Sequence, residues 1–201
     1  MKILGVSGSL RADSHNTALL RCAARHLPEG VELEVWDGLR DVPPYDQDDD
    51  VDPAPPAAAA FRAALAGADA VLFSTPEYNS SIPGQLKNAL DWASRPFATN
   101  VLRNLPVAVV GASTGAFGAV WAQAELRKVL AAAGARVVDG EVILGHAHHK
   151  MDERGVLIDD EARDQLVAVL SGLAAAVHAR QGPHARGQTP NGGRREVVAV
   201  S

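Results

Sequence analysis

This sequence of 201 residues contains one cysteine, no excess of positive charge and no long hydrophobic run. The single cysteine, Cys22, excludes an intramolecular disulfide and favours a reducing compartment. Its place on the apolar face of a predicted helix indicates a core residue rather than a reactive thiol. The net charge of −5 argues against a nucleic-acid partner, because the phosphate backbone favours basic surfaces.

Neither membrane insertion nor secretion is indicated by the sequence. No apolar run approaches the roughly 20 residues that cross a bilayer, and the first residues, MKILGVSGS, become polar too soon for a secretory signal. We therefore expect a cytoplasmic protein that does not bind membranes. The length suits one domain, so we expect residues 1–180 to form it. Residues 181–201 are rich in glycine, arginine and polar side chains and predict a disordered tail.

Strand-like and helix-like segments alternate along the chain. Short apolar runs predict five buried strands, at residues 2–7, 31–36, 69–75, 105–111 and 136–144. Helical spacing of apolar residues fills the intervals, and a further helix is predicted at 159–179. This order requires crossover connections and a mostly parallel sheet. We predict an α/β fold, a flavodoxin-like three-layer sandwich whose five-stranded parallel sheet has the order 2-1-3-4-5, with helices on both faces.

Two clusters of potential metal ligands lack the spacing of a metal site. Residues 37–56 contain several prolines and a run of aspartates, but no EF-hand pattern, and predict a long, solvated surface loop. His146, His148 and His149 lie close together, yet no cysteine or carboxylate set completes a tetrahedral site. We therefore expect no bound metal.

Three loops that follow strands carry the polar chemistry of the chain. In the predicted strand order, strands 1, 3 and 4 are neighbours, so the loops after them meet at one edge of the sheet. We name them the first loop (8–16), the second loop (76–83) and the third loop (112–118). Ligands of open α/β sheets bind at this edge, so the three loops predict a single site.

The first loop, GSLRADSHN, indicates a phosphate site at the start of a helix. A helix N-terminus offers unpaired N–H groups and partial positive charge, and an arginine adds a charge-assisted fork. The loop lacks the dinucleotide fingerprint and the P-loop pattern, so a phosphomonoester is the simpler ligand. Taken singly, Ser14 and Asn16 are better explained as ordinary helix caps, and the phosphate site is predicted from the combined set. The candidate residues are Ser9, Leu10, Arg11, Ser14, His15 and Asn16.

The second loop begins with the most specific stretch of the sequence, Pro76-Glu77-Tyr78-Asn79. An aromatic ring, an amide and a fixed backbone suit a planar heteroaromatic ligand with carbonyls and ring nitrogens. Glu77 is more simply interpreted as a structural carboxylate that accepts from nearby N–H groups than as a catalytic acid. Tyr78 is equally compatible with a packed ring in the core or at an interface.

The third loop, ASTGAFG, combines small residues that let a ligand approach the backbone closely. Ser113 or Thr114 can contact the edge of a flat ring, and Gly115 leaves room beside it. By itself this loop is ordinary turn chemistry.

Together these segments resemble the NAD(P)H-dependent FMN reductase family, which includes quinone, chromate and azo-dye reductases. The resemblance covers residues 2–175 in order and spacing, and its most specific part is the Pro-Glu-Tyr-Asn segment. The third loop departs from the family pattern, because Ala116 and Phe117 stand where relatives often have a further glycine. The matching segments are GVSGSLRADSHNTALL, STPEYNSSIPGQLKNALDWASR and VVGASTGAFGAVWAQAELRKVL.

The resemblance implies non-covalently bound FMN, with NAD(P)H as co-substrate and no catalytic side chain. The first loop would hold the phosphate, and the second and third loops would flank the ring. Family members are usually dimers or dimers of dimers, which makes the predicted helix carrying Leu86, Leu90 and Trp92 an interface candidate. The residues implied for the phosphate are Ser9, Arg11, Ser14 and Asn16, and those for the ring are Pro76, Glu77, Tyr78, Asn79, Ser113 and Gly115.

The predicted function is therefore hydride transfer from NAD(P)H through FMN to a small acceptor. Quinones, free flavins, azo compounds and metal oxyanions such as chromate are all compatible acceptors. An alternative is a flavodoxin-like electron carrier that does not oxidise NAD(P)H directly, and the acidic loop at 37–56 suits that function. A phosphate-binding regulator without redox chemistry is a third possibility. No residue that recognises the ribose is identifiable, so the choice between NADH and NADPH stays open.

Overall fold

The computed structural model describes residues 1–181, so the predicted tail from residue 182 onward lies outside the described residues. None of the described helices is long and apolar enough to cross a membrane. A short 3-10 turn, Gly38–Asp41, follows the second strand. The elements in chain order are β1 (Lys2–Ser7), α1 (His15–Ala23), β2 (Glu32–Trp36), α2 (Pro56–Ala66), β3 (Ala70–Thr75), α3 (Gly84–Ala93), β4 (Pro106–Ala112), α4 (Val120–Ala132), β5 (Arg136–Val137), β6 (Ile143–Leu144), α5 (Ala147–Lys150) and α6 (Asp160–Gln181).

All described strands are parallel and form one sheet of order β2-β1-β3-β4-β5, with β6 also paired to β4. The predicted flavodoxin-like order is confirmed. Strands β3 and β4 are buried along their whole length and β1 from its second residue, as expected for strands covered on both faces. The exposed Glu32 and Glu34 alternate with apolar residues in β2, which is the edge strand.

Helices cover both faces of the sheet. One core packs α2, α3 and α4 against one face, and the other packs α1, α5 and α6 against the opposite face. Cys22 is buried in the second core, which confirms the interpretation as a core residue. The sheet therefore presents its carboxyl edge, where the three loops begin, as the open side of the sandwich.

The predicted fifth strand, 136–144, is wrong as a single element, because it is two short strands with a break between them. The Arg127 side chain enters the break and donates to the carbonyl oxygens of Val109, Val138 and Gly140, at 2.6 to 3.3 Å. Gln123 Nε2 likewise donates to Val142 O at 3.0 Å. Side chains of α4 thus satisfy carbonyls that a continuous ladder would have used.

Leu86, Leu90 and Trp92 of α3, the helix predicted as an interface candidate, are not surface residues, and an interface on the rest of this helix stays a prediction. All three side chains are at most 2% exposed and belong to the core of this chain. The outer face of α3 instead carries Lys87 and Asp91, which form an ion pair at 2.6 Å. The apolar stripe of α3 faces its own sheet.

The predicted surface loop at 37–56 is acidic and exposed in part, but its start is packed. Leu39 and Val42 are buried against α2 and α3. The carbonyl oxygen of Pro43 accepts from Trp92 Nε1 at 2.9 Å and Asn88 Nδ2 at 2.7 Å. These bonds fasten the loop to α3.

Candidate cofactor-binding site

The three loops surround one cavity of about 330 Å³ at the carboxyl edge of the sheet. This volume lies at the lower end of the range for small-molecule sites. The cavity brings together most of the predicted site residues, whereas Leu10, Asn79 and Gly115 do not line it. The lining residues are Ser9, Arg11, Ser14, His15, Asn16, Pro76, Glu77, Tyr78, Ala112, Ser113 and Thr114.

Ser14 caps α1 and fixes the direction of its first turn. Its side-chain oxygen accepts from the backbone N–H groups of Asn16 and Thr17 at 3.2 and 3.4 Å. The predicted capping role of Ser14 is confirmed. The helix axis then points its partial positive charge towards the cavity.

Asn16 ties the first loop to two neighbouring strands rather than capping the helix. Its Oδ1 accepts from Ser74 Oγ and from the Ala112 N–H, both at 2.9 Å, and its Nδ2 donates to Ala112 O at 2.9 Å. The side chain is buried. It therefore positions the start of α1 against the ends of β3 and β4.

Polar residues at the strand ends complete this frame, and the sequence analysis missed them. Ser7 Oγ accepts from Thr17 Oγ1 at 2.8 Å and from the Ser9 N–H at 3.3 Å. Ser7 is the last residue of β1, and Ser74 is the last but one of β3. A polar residue at the carboxyl end of an otherwise apolar strand is a sequence pattern that could have identified both as site residues.

Glu77 is a structural carboxylate, as predicted. Its Oε2 accepts from the Ala122 N–H at 3.0 Å in the first turn of α4. The N-cap residue of this helix, Ala119, has no side chain that could accept this bond. Negative charge at this position also favours the helix dipole. Glu77 thereby fixes the second loop to the start of α4.

Tyr78 projects from a tight turn beside the cavity. Its N–H and C=O exchange hydrogen bonds with Ser81 at 3.0 and 3.1 Å, and Asn79 and Ser80 at the tip have positive φ. The Tyr78 ring is 55% exposed. It is therefore not a core ring.

The third loop rests on the segment between β6 and α5, which the sequence analysis did not assign to the site. Ser113 N–H donates to Leu144 O, and Ser113 O accepts from the Ala147 N–H, both at 3.0 Å. Gly145 allows this contact, because a Cβ there would lie 2.2 Å from Ala116 O. His146, with φ of 51°, and the exposed His148 and His149 follow at the rim.

Arg11 and His15 set the charge of the cavity. Arg11 is exposed and its guanidinium donates to the Asp13 carbonyl, so it curls back over its own loop. The pKa of His15 is lowered from its usual 6.5, first by burial and then by the positive charge of Arg11 and by His148. The residues around His15 thus favour an anion over a further cation.

Comparison with known proteins agrees with this geometry. The model of a family described as NADPH-dependent FMN reductase matches residues 1–149. The chain belongs to this family. It is an oxidoreductase with FMN as its cofactor and NAD(P)H as its co-substrate.

Relatives and a solved structure support the same assignment over nearly the whole chain. An NAD(P)H-dependent FMN reductase of Pseudomonas aeruginosa is 40% identical over 183 residues, which is 90% of this chain and 98% of the relative. A 2-hydroxy-1,4-benzoquinone reductase of a Burkholderia species is 39% identical, again over 90% of this chain and 98% of the relative. The flavoenzyme NAD(P)H:(acceptor) oxidoreductase FerB of Paracoccus denitrificans is similar in structure, with a TM-score of 0.79, 32% identity and coverage of 89% and 97% of the two chains.

The residues of this FMN reductase fit its cofactor. A phosphate monoester is dianionic near neutral pH, and the start of α1, with Arg11 beside it, offers N–H donors and positive charge. A flat ring needs a slot with backbone polar groups, which the second and third loops provide. When bound, FMN supplies the redox chemistry, and the protein supplies binding, orientation and electrostatics.

Proposed function

We propose that the cavity holds the FMN phosphate on the first loop and the flavin ring between the second and third loops, and that the preferred acceptor is a quinone. The observation that carries this proposal is the meeting of the three loops around one cavity, with the positive groups on one side of it. Each loop has its own task, which follows from its contacts.

The phosphate is assigned to the start of α1. Ser9 and Ser14 contribute hydroxyls, and Arg11 contributes a guanidinium that can swing from the Asp13 carbonyl to the anion. His15 contributes its backbone N–H group. Asn16 supports the loop instead, since its side chain is already bonded to Ser74 and Ala112 and its N–H to Ser14 Oγ. Leu10 shields the loop from outside.

The ring is assigned to the gap between the second and third loops. Pro76 and Asn79 shape the backbone on one side, and Ser113, Thr114 and Gly115 form the other. Glu77 holds the second loop against α4, so its task in the reaction is positioning rather than proton transfer. The exposed Tyr78 ring then lies where it can cover a bound flat molecule.

The acceptor is assigned as a quinone from the shape of the site and the names of its relatives. The cavity is open and shallow, so it favours small flat molecules that stack on the exposed ring face. The nicotinamide and the quinone would take turns at this face. The related Burkholderia protein is named for a benzoquinone substrate, which favours quinones over azo compounds, free flavins or chromate.

We also propose that two copies associate through the rim of this site and that the enzyme works in the cytoplasm. Phe117 and Trp121 are 64% and 48% exposed, and their rings contact each other edge to face, with centroids 5.1 Å apart. Phe117 lies in the third loop and Trp121 in the first turn of α4, so a second copy covering them would also close the site. The unpaired Cys22 and the use of NAD(P)H suit a reducing compartment.

The test is anaerobic reduction of the FMN-loaded protein. One equivalent of NADPH or NADH should bleach the flavin absorbance rapidly, and one equivalent of 1,4-benzoquinone should then restore it. Equal amounts of an azo dye or chromate should restore it more slowly. A flavin that stays oxidised under excess NAD(P)H would identify an electron carrier and contradict the proposal.

Replacing the phosphate-binding arginine tests the orientation of the cofactor. Arg11→Ala should weaken FMN binding about tenfold or more, because it removes a charge-assisted hydrogen bond, and should leave the binding of riboflavin unchanged. Fluorescence titration of both flavins measures this. Arg25→Ala is the matched control, since Arg25 is an exposed arginine just after α1 and does not line the cavity. Equal FMN affinity in both variants would place the phosphate elsewhere.

A further inference from the structure

A second cleft of about 310 Å³ lies on the other side of the first loop from the cofactor cavity. Ser9 and Arg11 line both openings. The remaining walls differ, because the second cleft is bounded by the end of β2 and the 3-10 turn after it. Strand β2 lies beyond β1, away from β3 and β4, so the two openings face opposite sides of the loop.

Positive charge dominates this second cleft. Three arginines line it, Arg11, Arg21 and Arg40, against one carboxylate, that of Asp37, among the described residues. The balance is therefore +3 − 1 = +2. A phosphate monoester carries a charge of about −1.5 to −2 at pH 7, so its charge complements that of the cleft.

Two arginines line this cleft and not the cofactor cavity, and they are held differently. One of them, Arg21, also lines a neighbouring cleft. Arg40 is anchored, because its Nη2 donates to Leu10 O at 2.6 Å. The other N–H groups of its guanidinium are not used in this bond. Arg21 lies on the exposed side of α1 and forms no ion pair with any residue of the 1–181 range. Among the described residues, Arg21 is thus a charged group without an ion-pair partner, in the lining of a cleft that already has positive charge.

The inner wall of the cleft is apolar and fixed. Val35, Trp36 and Leu39 line it, and the Trp36 ring stacks on Phe61 with centroids 4.5 Å apart. A rigid apolar wall next to guanidinium groups suits a ligand that combines a flat base with a phosphate. Adenosine with a phosphate on its ribose has both parts.

The chemistry of the side chains after β2 indicates which ligand this is. In Rossmann dinucleotide-binding folds, whose glycine fingerprint this chain lacks, a carboxylate contacts the ribose 2′-hydroxyl, or a nearby arginine accommodates a 2′-phosphate. Here Asp37 directly follows β2, and Arg40 comes three residues later. Strands lie about 4.8 Å apart, so the end of β2 is about 14 Å from that of β4. An extended dinucleotide can bridge this distance across the first loop.

We propose that the second cleft binds the 2′-phosphate of NADPH through Arg21 and Arg40, and that these two residues make the enzyme prefer NADPH to NADH. This inference rests on the proposed function, because the nicotinamide must reach the flavin site while the adenosine occupies the cleft. Arg11 lies between the two openings and faces both the cofactor phosphate and the co-substrate.

The test uses the full-length, FMN-loaded protein and Arg21→Gln. The KM for NADPH should rise about tenfold, because one charge-assisted contact is lost, while the KM for NADH should stay within about twofold. Titration calorimetry gives a second readout that does not depend on turnover. Adenosine 2′,5′-bisphosphate should bind more tightly than adenosine 5′-monophosphate to the unmodified protein, and Arg21→Gln should remove this difference.

Arg25→Gln is the matched control, because Arg25 lies one turn further along the chain from Arg21 and lines a neighbouring cleft but not this one. It should behave like the unmodified protein in both measurements. Equal effects of Arg21→Gln on NADPH and NADH, or no effect on either, would overturn the inference. If the unmodified protein oxidises neither coenzyme, the proposed function fails, and the calorimetric comparison still decides whether the cleft recognises a 2′-phosphate.

Discussion

Most polar side chains around the cofactor cavity are already bonded to the protein, and this decides which groups are free to meet a ligand. Asn16 and Glu77 are both occupied by backbone groups from other elements. Arg11 bonds only within its own exposed loop, so its guanidinium can be redirected at low cost. The role of Glu77 followed from its sequence context, but the bond between Asn16 and Ala112 joins residues 96 apart and has no local signal.

His15 should report the arrival of the phosphate through its pKa. Burial and the charge of Arg11 lower this pKa below 6.5 in the folded protein without ligand. A bound phosphate dianion offsets the charge of Arg11 and favours the imidazolium, so FMN should raise the pKa of His15. NMR titration of the His15 ring protons measures the shift, and riboflavin, which lacks the phosphate, should leave the pKa unchanged.

The lowered pKa of His15 also makes the stability of the folded protein depend on pH. Because the folded-state pKa is below 6.5, the unfolded chain takes up the proton first, and stability decreases as the pH falls from 6.5 through the folded-state value. His15→Gln should reduce this loss, and saturation with FMN should reduce it as well. An identical slope of stability against pH in the variant would show that His15 does not titrate as described.

At the scale of elements, the third loop depends on a segment that comes about 30 residues later in the chain. The strand β6 and the turn after it supply backbone partners for Ser113 and Gly115. A break in the fifth strand makes this possible, because it brings β6 back beside the end of β4. Apolar periodicity predicts one strand over 136–144, since it carries no information about Arg127 satisfying the carbonyls between the two halves.

Gly145→Ala should disrupt this support. The new Cβ would lie 2.2 Å from the Ala116 carbonyl oxygen, so the loop or the turn must shift. Overpacking of this kind costs about 1–3 kcal/mol, and the displaced third loop should also bind FMN more weakly. Denaturant unfolding and FMN titration measure the two effects.

The control for this prediction is Gly84→Ala at the start of α3, where an added Cβ meets nothing within 4 Å. Its stability and FMN affinity should match those of the unmodified protein or slightly exceed them, because alanine favours helices over glycine. A Gly145→Ala protein that is as stable as Gly84→Ala would refute the tight contact between the two segments.

At the scale of the whole molecule, the strand order and the meeting of the three loops around one cavity were predictable, whereas the packing of the apolar helix faces was not. Alternation of strands and helices determines a parallel sheet, and the sheet determines where three loops meet. Helical periodicity shows that α3 has an apolar stripe, but it does not show whether the stripe faces the sheet or a partner. Leu86 and Leu90 face the sheet. Exposed apolar area lies elsewhere, on Tyr78, Phe117 and Trp121.

These exposed aromatic rings lead to a prediction about assembly. Phe117 in the third loop and Trp121 in α4 contact each other edge to face and form an exposed patch of the kind that proteins bury against a partner. Replacing Phe117 and Trp121 together by serine should weaken self-association about thirtyfold or more, because buried tryptophan at an interface contributes about 2 kcal/mol or more. Sedimentation velocity over a range of concentrations measures the change. Ile158→Ser is the control, since Ile158 is 57% exposed and joins α5 to α6 on the opposite face of the sheet. If the double variant keeps the sedimentation of the unmodified protein while turnover falls, the rings serve the substrate and not a second copy.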